Sequence, residues 1–472
     1  MGRFSALAQR LCSGTVSAGF KIGVGTAIGF GMATSPLTAS FAYAADTTAA
    51  AAVALPSGAK ATPEQNEIAR GAYLAVASDC IACHTAAKGK PFGGGYPIAT
   101  PFGKIYGSNI SSDKQYGIGS WTDQQFVAAV RDGVGGNGQN LYPAMPYDSF
   151  TKMKTEDVLA IKAYLMSLPP VHTPTPADSL PFPFNQRWTM WFWKMINVDK
   201  GPLQDDPAHN AEWNHGRYLV EALAHCEACH TPRNITFGMS SSRAFGGGDL
   251  GAWTAYNITS DKGAGIGSWS DAELVQYLRS GDAPGRASAA GPMGEAVEHS
   301  LQYLKEDDLK AMVTYLRTVP ALPGPTDSND RSRQGKPATD YAMLRGADAN
   351  YKVAHAGAEL YMAHCATCHT ATGAGIGNGP TAYPSLYHHS AVGNADTTNL
   401  VSVILNGVKR DMKTGEVYMP SFATDMSDEQ VATLANYLTK QYGNPAAKTT
   451  PDQVKKLRTI DLKPFPDLDQ DK

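Results

Sequence analysis

Three copies of one short motif constrain this chain more than any other feature. Cys80, Cys83 and His84 read Cys-x-x-Cys-His; Cys226, Cys229 and His230 repeat it, and Cys365, Cys368 and His369 repeat it again. The copies begin 146 and 139 residues apart in a chain of 472. That length exceeds one hydrophobic core, and domains of roughly 150 residues or fewer are the usual solution, so one motif per domain is the economical organisation. The seventh cysteine, Cys12, falls in residues 1–45, which read as a secretory signal: Arg3 and Arg10, an apolar run from Phe20 to Leu37, then Ala42-Tyr43-Ala44 as a small-x-small cleavage site. With the signal removed, all six remaining cysteines belong to motifs, and none is left for a separate disulfide framework.

Two cysteines at i and i+3 can form a redox disulfide, fill two corners of a zinc tetrahedron, or bond to the vinyl groups of a haem. The adjoining histidine decides among these. Two thioethers clamp one edge of a porphyrin, and the next residue can then only swing beneath the iron as its proximal ligand. A dithiol redox site has no use for that histidine, and a zinc ribbon needs a second Cys-x-x-Cys in the same domain. The chain is therefore expected to hold three covalent haem c groups, with His84, His230 and His369 on the irons.

A methionine some 50 to 80 residues later is the usual sixth ligand, because its soft sulfur favours ferrous iron. Met145 in "YPAMPY" and Met419 in "YMPSF" are the candidates of the first and third domains, each followed by a proline that suggests a rigid, extended loop. Met293 in "AGPMGEAVEHS" is the candidate of the second, with His299 six residues on as the alternative. Met153 rivals Met145 but sits among lysines at the start of a helical pattern, where a surface or packing role is the simpler reading.

Each expected domain closes with an apolar helix pattern, at 156–170, 306–321 and 428–443, opened by acids and closed by Pro or Gly. Tyr164, Tyr315 and Tyr437 take matching places. A second helix precedes each motif with a glycine near a tyrosine: Gly71 and Tyr73, Gly216 and Tyr218, Gly357 and Tyr361. A glycine there lets two helices approach closely while the aromatic fills the crossing. The first two domains share a longer repeat, "FGGG" followed by "NISSDKQYGIGSWTDQQF" or "NITSDKGAGIGSWSDAEL". Asn109, Asn257, Trp121 and Trp269 could donate to haem propionates; equally, the asparagines could shape turns and the tryptophans could staple helices starting at Thr122-Asp123 and Ser270-Asp271.

The expected architecture is mainly α: three tandem class I cytochrome c domains at 60–170, 209–321 and 351–445, each with one covalently bound haem. Linkers fall at 171–208 and 322–350, and a polar tail at 446–472 is read as extended over a neighbour or disordered. Inside the first linker, "RWTMWFWKMINV" at 187–198 reads either as a wedge between domains or as a docking surface for a subunit or membrane. Past the signal no apolar run approaches the roughly 18 residues of a spanning helix. Without the three basic residues of the signal, the 40 basic and 43 acidic side chains of the whole chain leave a formal charge of about −6, which argues against a nucleic-acid binder. The glycines at 23–31 lie in the signal with no strand before them, and "GAGIGNGP" at 373–380 follows a haem motif directly, so neither is a dinucleotide fingerprint. No nucleophile motif, paired carboxylates or phosphate cradle stands out.

With these motifs, "CHTPRN", "RWTMWFW" and the methionine loops, the chain closely resembles the trihaem cytochrome c subunit of bacterial membrane-bound dehydrogenases that oxidise alcohols, sugar acids or aldehydes. The resemblance covers nearly all of the chain beyond the signal. It implies a non-catalytic electron-transfer subunit on the periplasmic face of the inner membrane. Electrons would come from a catalytic subunit carrying pyrroloquinoline quinone, flavin or a molybdenum cofactor, with a small third subunit in some complexes, and would pass to ubiquinone. It also implies peripheral anchoring, for which the short polar tail is an unusual candidate. A free-standing multihaem carrier and a haem peroxidase with one open iron site are the alternative readings.

Overall fold

The computed structural model describes residues 62–324, 330–339, 356–377, 379 and 381–460. The expected signal, part of the 322–350 linker and the last residues of the tail lie outside them.

Helix α1 (Pro63–Ala77) starts at a capping box in which Gln65 N donates to Thr62 Oγ1 at 3.2 Å and Thr62 N to Gln65 Oε1 at 2.9 Å. Asp79, at φ 51° in the left-handed region, breaks the chain direction before the single turn α2 (Cys80–His84). The hairpin β1 (Pro97–Thr100) with β2 (Gly103–Tyr106), then α3 (Asp123–Asp132), α4 (Tyr147–Phe150) and α5 (Thr155–Ser167), complete this lobe. Thr122 begins α3 by the same box with Gln125, as its sequence suggests. Helices α1 and α5 cross at Gly71 with no room to spare: a Cβ there would lie 1.8 Å from the Ala160 carbonyl oxygen.

After α6 (Thr189–Asn197) the arrangement repeats. Helix α7 (Ala211–Tyr218) continues through a π-helical turn (Leu219–Leu223), His225 takes φ 38°, and α8 (Glu227–His230) follows. Two short hairpins, β3 (Gly248–Asp249) with β4 (Thr254–Ala255) and β5 (Asp282–Ala283) with β6 (Ala287–Ser288), flank α9 (Asp271–Ser280). Then come α10 (Gly291–His299) and α11 (Glu306–Leu316), and a Cβ on Gly216 would meet the Ala311 carbonyl at 1.9 Å. The last lobe holds α12 (Ala356–His364), α13 (Ala366–His369), α14 (Ser390–Gly393), α15 (Thr398–Asn406), the hairpin β7 (Val408–Met412) with β8 (Gly415–Met419), and α16 (Asp428–Tyr442). Its crossing places a Cβ of Gly357 2.5 Å from Tyr437 Cβ. The fold is mainly α, as expected.

The cores depart from one per lobe. A single buried cluster runs from Leu74 through Val158, Leu219 and Met312 to Val319, so the first two lobes share it. The second, built on Tyr361, Val401, Leu434 and Tyr442, also takes in Ala252 and Trp253 of the middle lobe. The tail differs too: Thr450 caps α17 (Pro451–Thr459), which buries Val454 and Leu457 on this second core.

The first two lobes are tied reciprocally. Tyr73 of α1 donates to Asp308 of α11, and Tyr218 of α7 donates to Asp157 of α5 at 2.5 Å. Each tyrosine oxygen in turn accepts a backbone N–H of the other lobe, Lys305 N at 3.1 Å and Lys154 N at 3.0 Å. Such self-complementary pairing is what a two-fold arrangement of like units produces. Both tyrosines thus join lobes as well as lining helices.

Helix α6 is inverted. Its polar side faces the protein: Lys194 Nζ donates to the carbonyls of Asp132 at 2.8 Å and Gly133 at 3.2 Å, and Asn197 Oδ1 accepts from Thr236 Oγ1 at 2.9 Å. Trp193 alone wedges inward, donating to Thr236 O at 2.8 Å. Trp188, Trp191, Phe192, Met195 and Ile196, at helical spacing, are each more than half exposed. An apolar stripe turned outward marks a contact with something apolar.

The glycine crossings make a sharp test. Gly71→Ala and Gly216→Ala each force a methyl into a carbonyl, and each should cost about 3 kcal/mol, read as a fall in the midpoint of denaturant unfolding.

Candidate haem sites

The same bond recurs at all three motifs. His84 Nδ1 lies 2.7 Å from Ser108 O, His230 Nδ1 2.6 Å from Tyr256 O, and His369 Nδ1 2.9 Å from Pro384 O. A carbonyl can only accept, so each Nδ1 carries the proton and Nε2 is left with its lone pair free for a metal. Ser108 and Tyr256 directly precede Asn109 and Asn257, which settles what those asparagines do. Asn109 Nδ2 donates to Val171 O at 2.7 Å and Thr173 O at 2.9 Å while its Oδ1 accepts from Ser111 N at 3.0 Å. Asn257 donates to Leu322 O at 2.7 Å and accepts from Thr259 N at 2.8 Å. Both asparagines thus shape the turns that carry them, as one of the two sequence readings has it. By pinning their loops they fix the carbonyls that aim the histidines.

The cysteines are unpaired and partly buried. Burial, with the Asp79 charge beside it, pushes the Cys80 and Cys83 thiols up to about 12, and burial followed by the Cys229 charge does the same at Cys226. Cys365 also rises to about 12, through burial and then Cys368. A dithiol redox site works through a lowered thiol pKa, so these pairs are unsuited to that chemistry. Among the described residues no group of three His, Cys, Asp or Glu side chains converges as a metal cage.

Met145 follows a tight turn, its N–H bonded to Tyr142 O at 3.1 Å, and packs half-buried on the first core. Met293 lies in the first turn of α10 and packs on the same core; Met419 ends strand β8. The backbone is thus turned at Met145 and extended at Met419. His299 ends α10, six residues beyond Met293, so the two side chains leave the helix about 120° apart. Met153 is 1% exposed, a core residue.

One cluster escaped sequence reading. Asp79, Glu295 and Glu298 gather beside the first motif, with Tyr96 Oη donating to Glu295 Oε2 at 3.3 Å. Burial, with Glu295 and Glu298 adding to it, holds the Asp79 carboxyl well above its usual range, and burial with Asp411 raises Glu298 to about 7. Both Cys83 and Cys229 lie in the field of Asp79 and Glu295, so the first two motifs face a common acidic surrounding. These residues come from distant parts of the chain and carry no motif.

A buried thiol pair beside an imidazole with a fixed tautomer, repeated three times on close helix crossings, defines a c-type cytochrome. The Cytochrome c family profile matches residues 68–169, and that of Cytochrome C oxidase, cbb3-type, subunit III matches residues 352–438. The fructose dehydrogenase cytochrome subunit of Gluconobacter japonicus is 43% identical over 84% of this chain and 84% of its own length. The gluconate 2-dehydrogenase cytochrome c subunit of Pantoea cypripedii is 36% identical over 83% and 89%. The cytochrome c subunit of the quinone alcohol dehydrogenase of Gluconobacter oxydans is 34% identical over 83% and 82%. The chain belongs to the cytochrome c subunits of membrane-bound dehydrogenases, carries covalent haem c, and transfers electrons for a separate catalytic subunit.

His225, which precedes the second motif, bears on stability. Burial lowers its pKa from 6.5 to about 4, with its ring edge-on to Phe150 at 5.4 Å. Between those values the unfolded chain binds the extra proton, so stability should fall as pH drops from about 6.5 toward 4, by up to about 3 kcal/mol. His225→Asn should flatten that part of the thermal midpoint–pH profile.

Proposed function

We propose that this subunit holds three haems: one tethered by Cys80 and Cys83 with His84 and Met145 as axial ligands, one by Cys226 and Cys229 with His230 and Met293, and one by Cys365 and Cys368 with His369 and Met419. The domain boundaries are those of the three lobes, close to 60–170, 209–321 and 351–445. The observation that carries this reading is the carbonyl bond at Nδ1 of every motif histidine. Haem c supplies one-electron chemistry when bound. The cysteines hold its edge, the histidines keep one tautomer, and the methionine thioethers bias the site toward ferrous iron.

The partner is a catalytic dehydrogenase subunit whose cofactor is pyrroloquinoline quinone, flavin or molybdenum, and the acceptor is ubiquinone at the periplasmic face of the inner membrane. Similarity to a fructose dehydrogenase cytochrome subunit puts fructose first among the substrates to try. No helix among the described residues is long and apolar enough to cross a membrane. The outward stripe of α6, whose tryptophans suit a lipid–water boundary, supports peripheral attachment there.

The test begins with tagged protein purified gently from its native membranes, watching the ferrous haem bands as fructose, gluconate, ethanol, acetaldehyde and sorbitol are added singly. One substrate should reduce the haems without a mediator, and Trp188→Ser with Trp191→Ser and Phe192→Ser should shift the subunit to the soluble fraction. If no substrate acts but quinol or a reduced cytochrome does, a free-standing carrier is the better description.

Ligand assignments are checked separately. Cys80→Ser with Cys83→Ser should lose one covalent haem by mass. Met145→His should lower one potential in a redox titration; an unchanged set of three potentials removes Met145 from the iron.

A further inference from the structure

Two guanidinium groups lie against the middle lobe, Arg410 buried and Arg331 half-buried, and neither forms an ion pair with a carboxylate among the described residues. Arg331 donates to the carbonyls of Ala264 and of Asn257, the latter at 3.4 Å, and Arg410 donates to the carbonyl of Ala289. In both, Nε is buried and has no hydrogen-bond partner among the described residues. Carbonyl dipoles satisfy a few N–H groups but leave the charge uncompensated, which is costly in a dry interior. The nearest acids are engaged or disinclined to ionise: Asp330 already pairs with Arg286 at 3.2 Å and Arg333 at 3.3 Å, and burial raises Asp282 and Glu298.

The positions of the two groups matter more than their number. Arg331 lies over the Tyr256 ring, 4.6 Å from its centroid, and the Tyr256 carbonyl is the one that orients His230. Arg410 comes from β7 of the last lobe, yet it is 1% exposed against the middle one. A Cβ on Gly281 would lie 3.0 Å from its Cζ and one on Gly294 3.3 Å from its Cδ, and Gly294 directly follows Met293. One arginine thus sits by the residue that supplies the candidate proximal ligand's partner, the other by the candidate methionine. The charges of both reach Tyr277 on α9.

We propose that Arg331 and Arg410 neutralise the propionate carboxylates of the middle haem, so that a side chain of the last lobe helps set the potential of its neighbour's cofactor. Two cations without counter-charge meet a ligand that brings two anions, and arginine's planar fork suits a carboxylate. The inference rests on the proposed haem at Cys226, Cys229 and His230.

The experiment uses the full-length protein with Arg331→Gln or Arg410→Gln. Haems are first counted by mass, and then the three potentials are read by spectroelectrochemical titration. Three haems should remain, and one potential should fall: removing a nearby positive charge favours ferric iron by about tenfold, which is 59 mV for one electron, while the other two stay. Arg410→Lys, which keeps the charge, should recover most of the shift. Should a glutamine variant fail to accumulate, the lysine variants decide, since the same single potential must move by a smaller amount. Three haems with three unchanged potentials would overturn the proposal and leave the arginines as braces for the Ala264 and Ala289 carbonyls. A wild-type mass showing fewer than three haems would instead overturn the haem assignment beneath it.

Discussion

Everything else in the structure hangs on a contact between two backbones. At Gly71 and Gly216 the helix before each motif touches the carbonyl of the closing helix, at a distance no Cβ could share. The crossing fixes where α1 and α7 end, and the chain must then turn sharply to begin the motif. It does so through a left-handed residue, Asp79 or His225, which is an uphill conformation for a side chain other than glycine. The cost is sustained because the crossing is buried on both sides. Motif placement is therefore a property of helix packing, and the cysteines inherit it.

A second constraint is electrostatic. The middle of the molecule collects charges that water would otherwise solvate: Lys152 bridges lobes by donating to Glu221 at 3.0 Å and Glu227 at 2.9 Å, while Asp157 and Asp308 each receive a base of their own lobe and a tyrosine of the other. The tyrosine–aspartate pairs are matched across the first two lobes because the sequences are matched there. The acids around Asp79 and the arginines near Tyr277 have no such symmetry. Where the repeat breaks, the interior carries ionisable groups with no counterpart in the other lobe, and those are the places where the cofactor environments can differ.

Much of this was legible in the sequence. Motif spacing, the closing helices, and the capping residues Thr122 and Ser270 depend on local rules, and local rules are written in neighbouring residues. The glycine crossings were also readable, because a glycine close to a tyrosine recurs before each motif, two residues apart in the first two copies and four in the third. The carbonyls that orient the histidines were not, since any residue has one; the only trace was that two of them precede the repeated asparagines. The shared core, the crossed tyrosine pairs and Arg410 were invisible for a different reason. They join residues from 61 to 235 positions apart in the tyrosine pairs, and nothing in Tyr73 alone says that its partner is Asp308. Helix α6 was recognised as unusual by composition, but only its orientation shows that the lysine faces in and the tryptophans out.

The lobes are consequently poor candidates for independent modules, although sequence spacing suggests them. The first two share one buried cluster, so neither could be excised without exposing the other's apolar face. The last lobe gives Arg410 to the middle one, and its Asn399 side chain brackets β4 by accepting from Thr254 N and donating to Thr254 O, both at 2.8 Å. Backbone pairing of this kind resists sliding because two bonds must break together. Single-electron transfer over a chain of sites depends on distances that stay constant from one turnover to the next. Tying the motifs to one another through buried cores and reciprocal hydrogen bonds provides that constancy within the subunit itself.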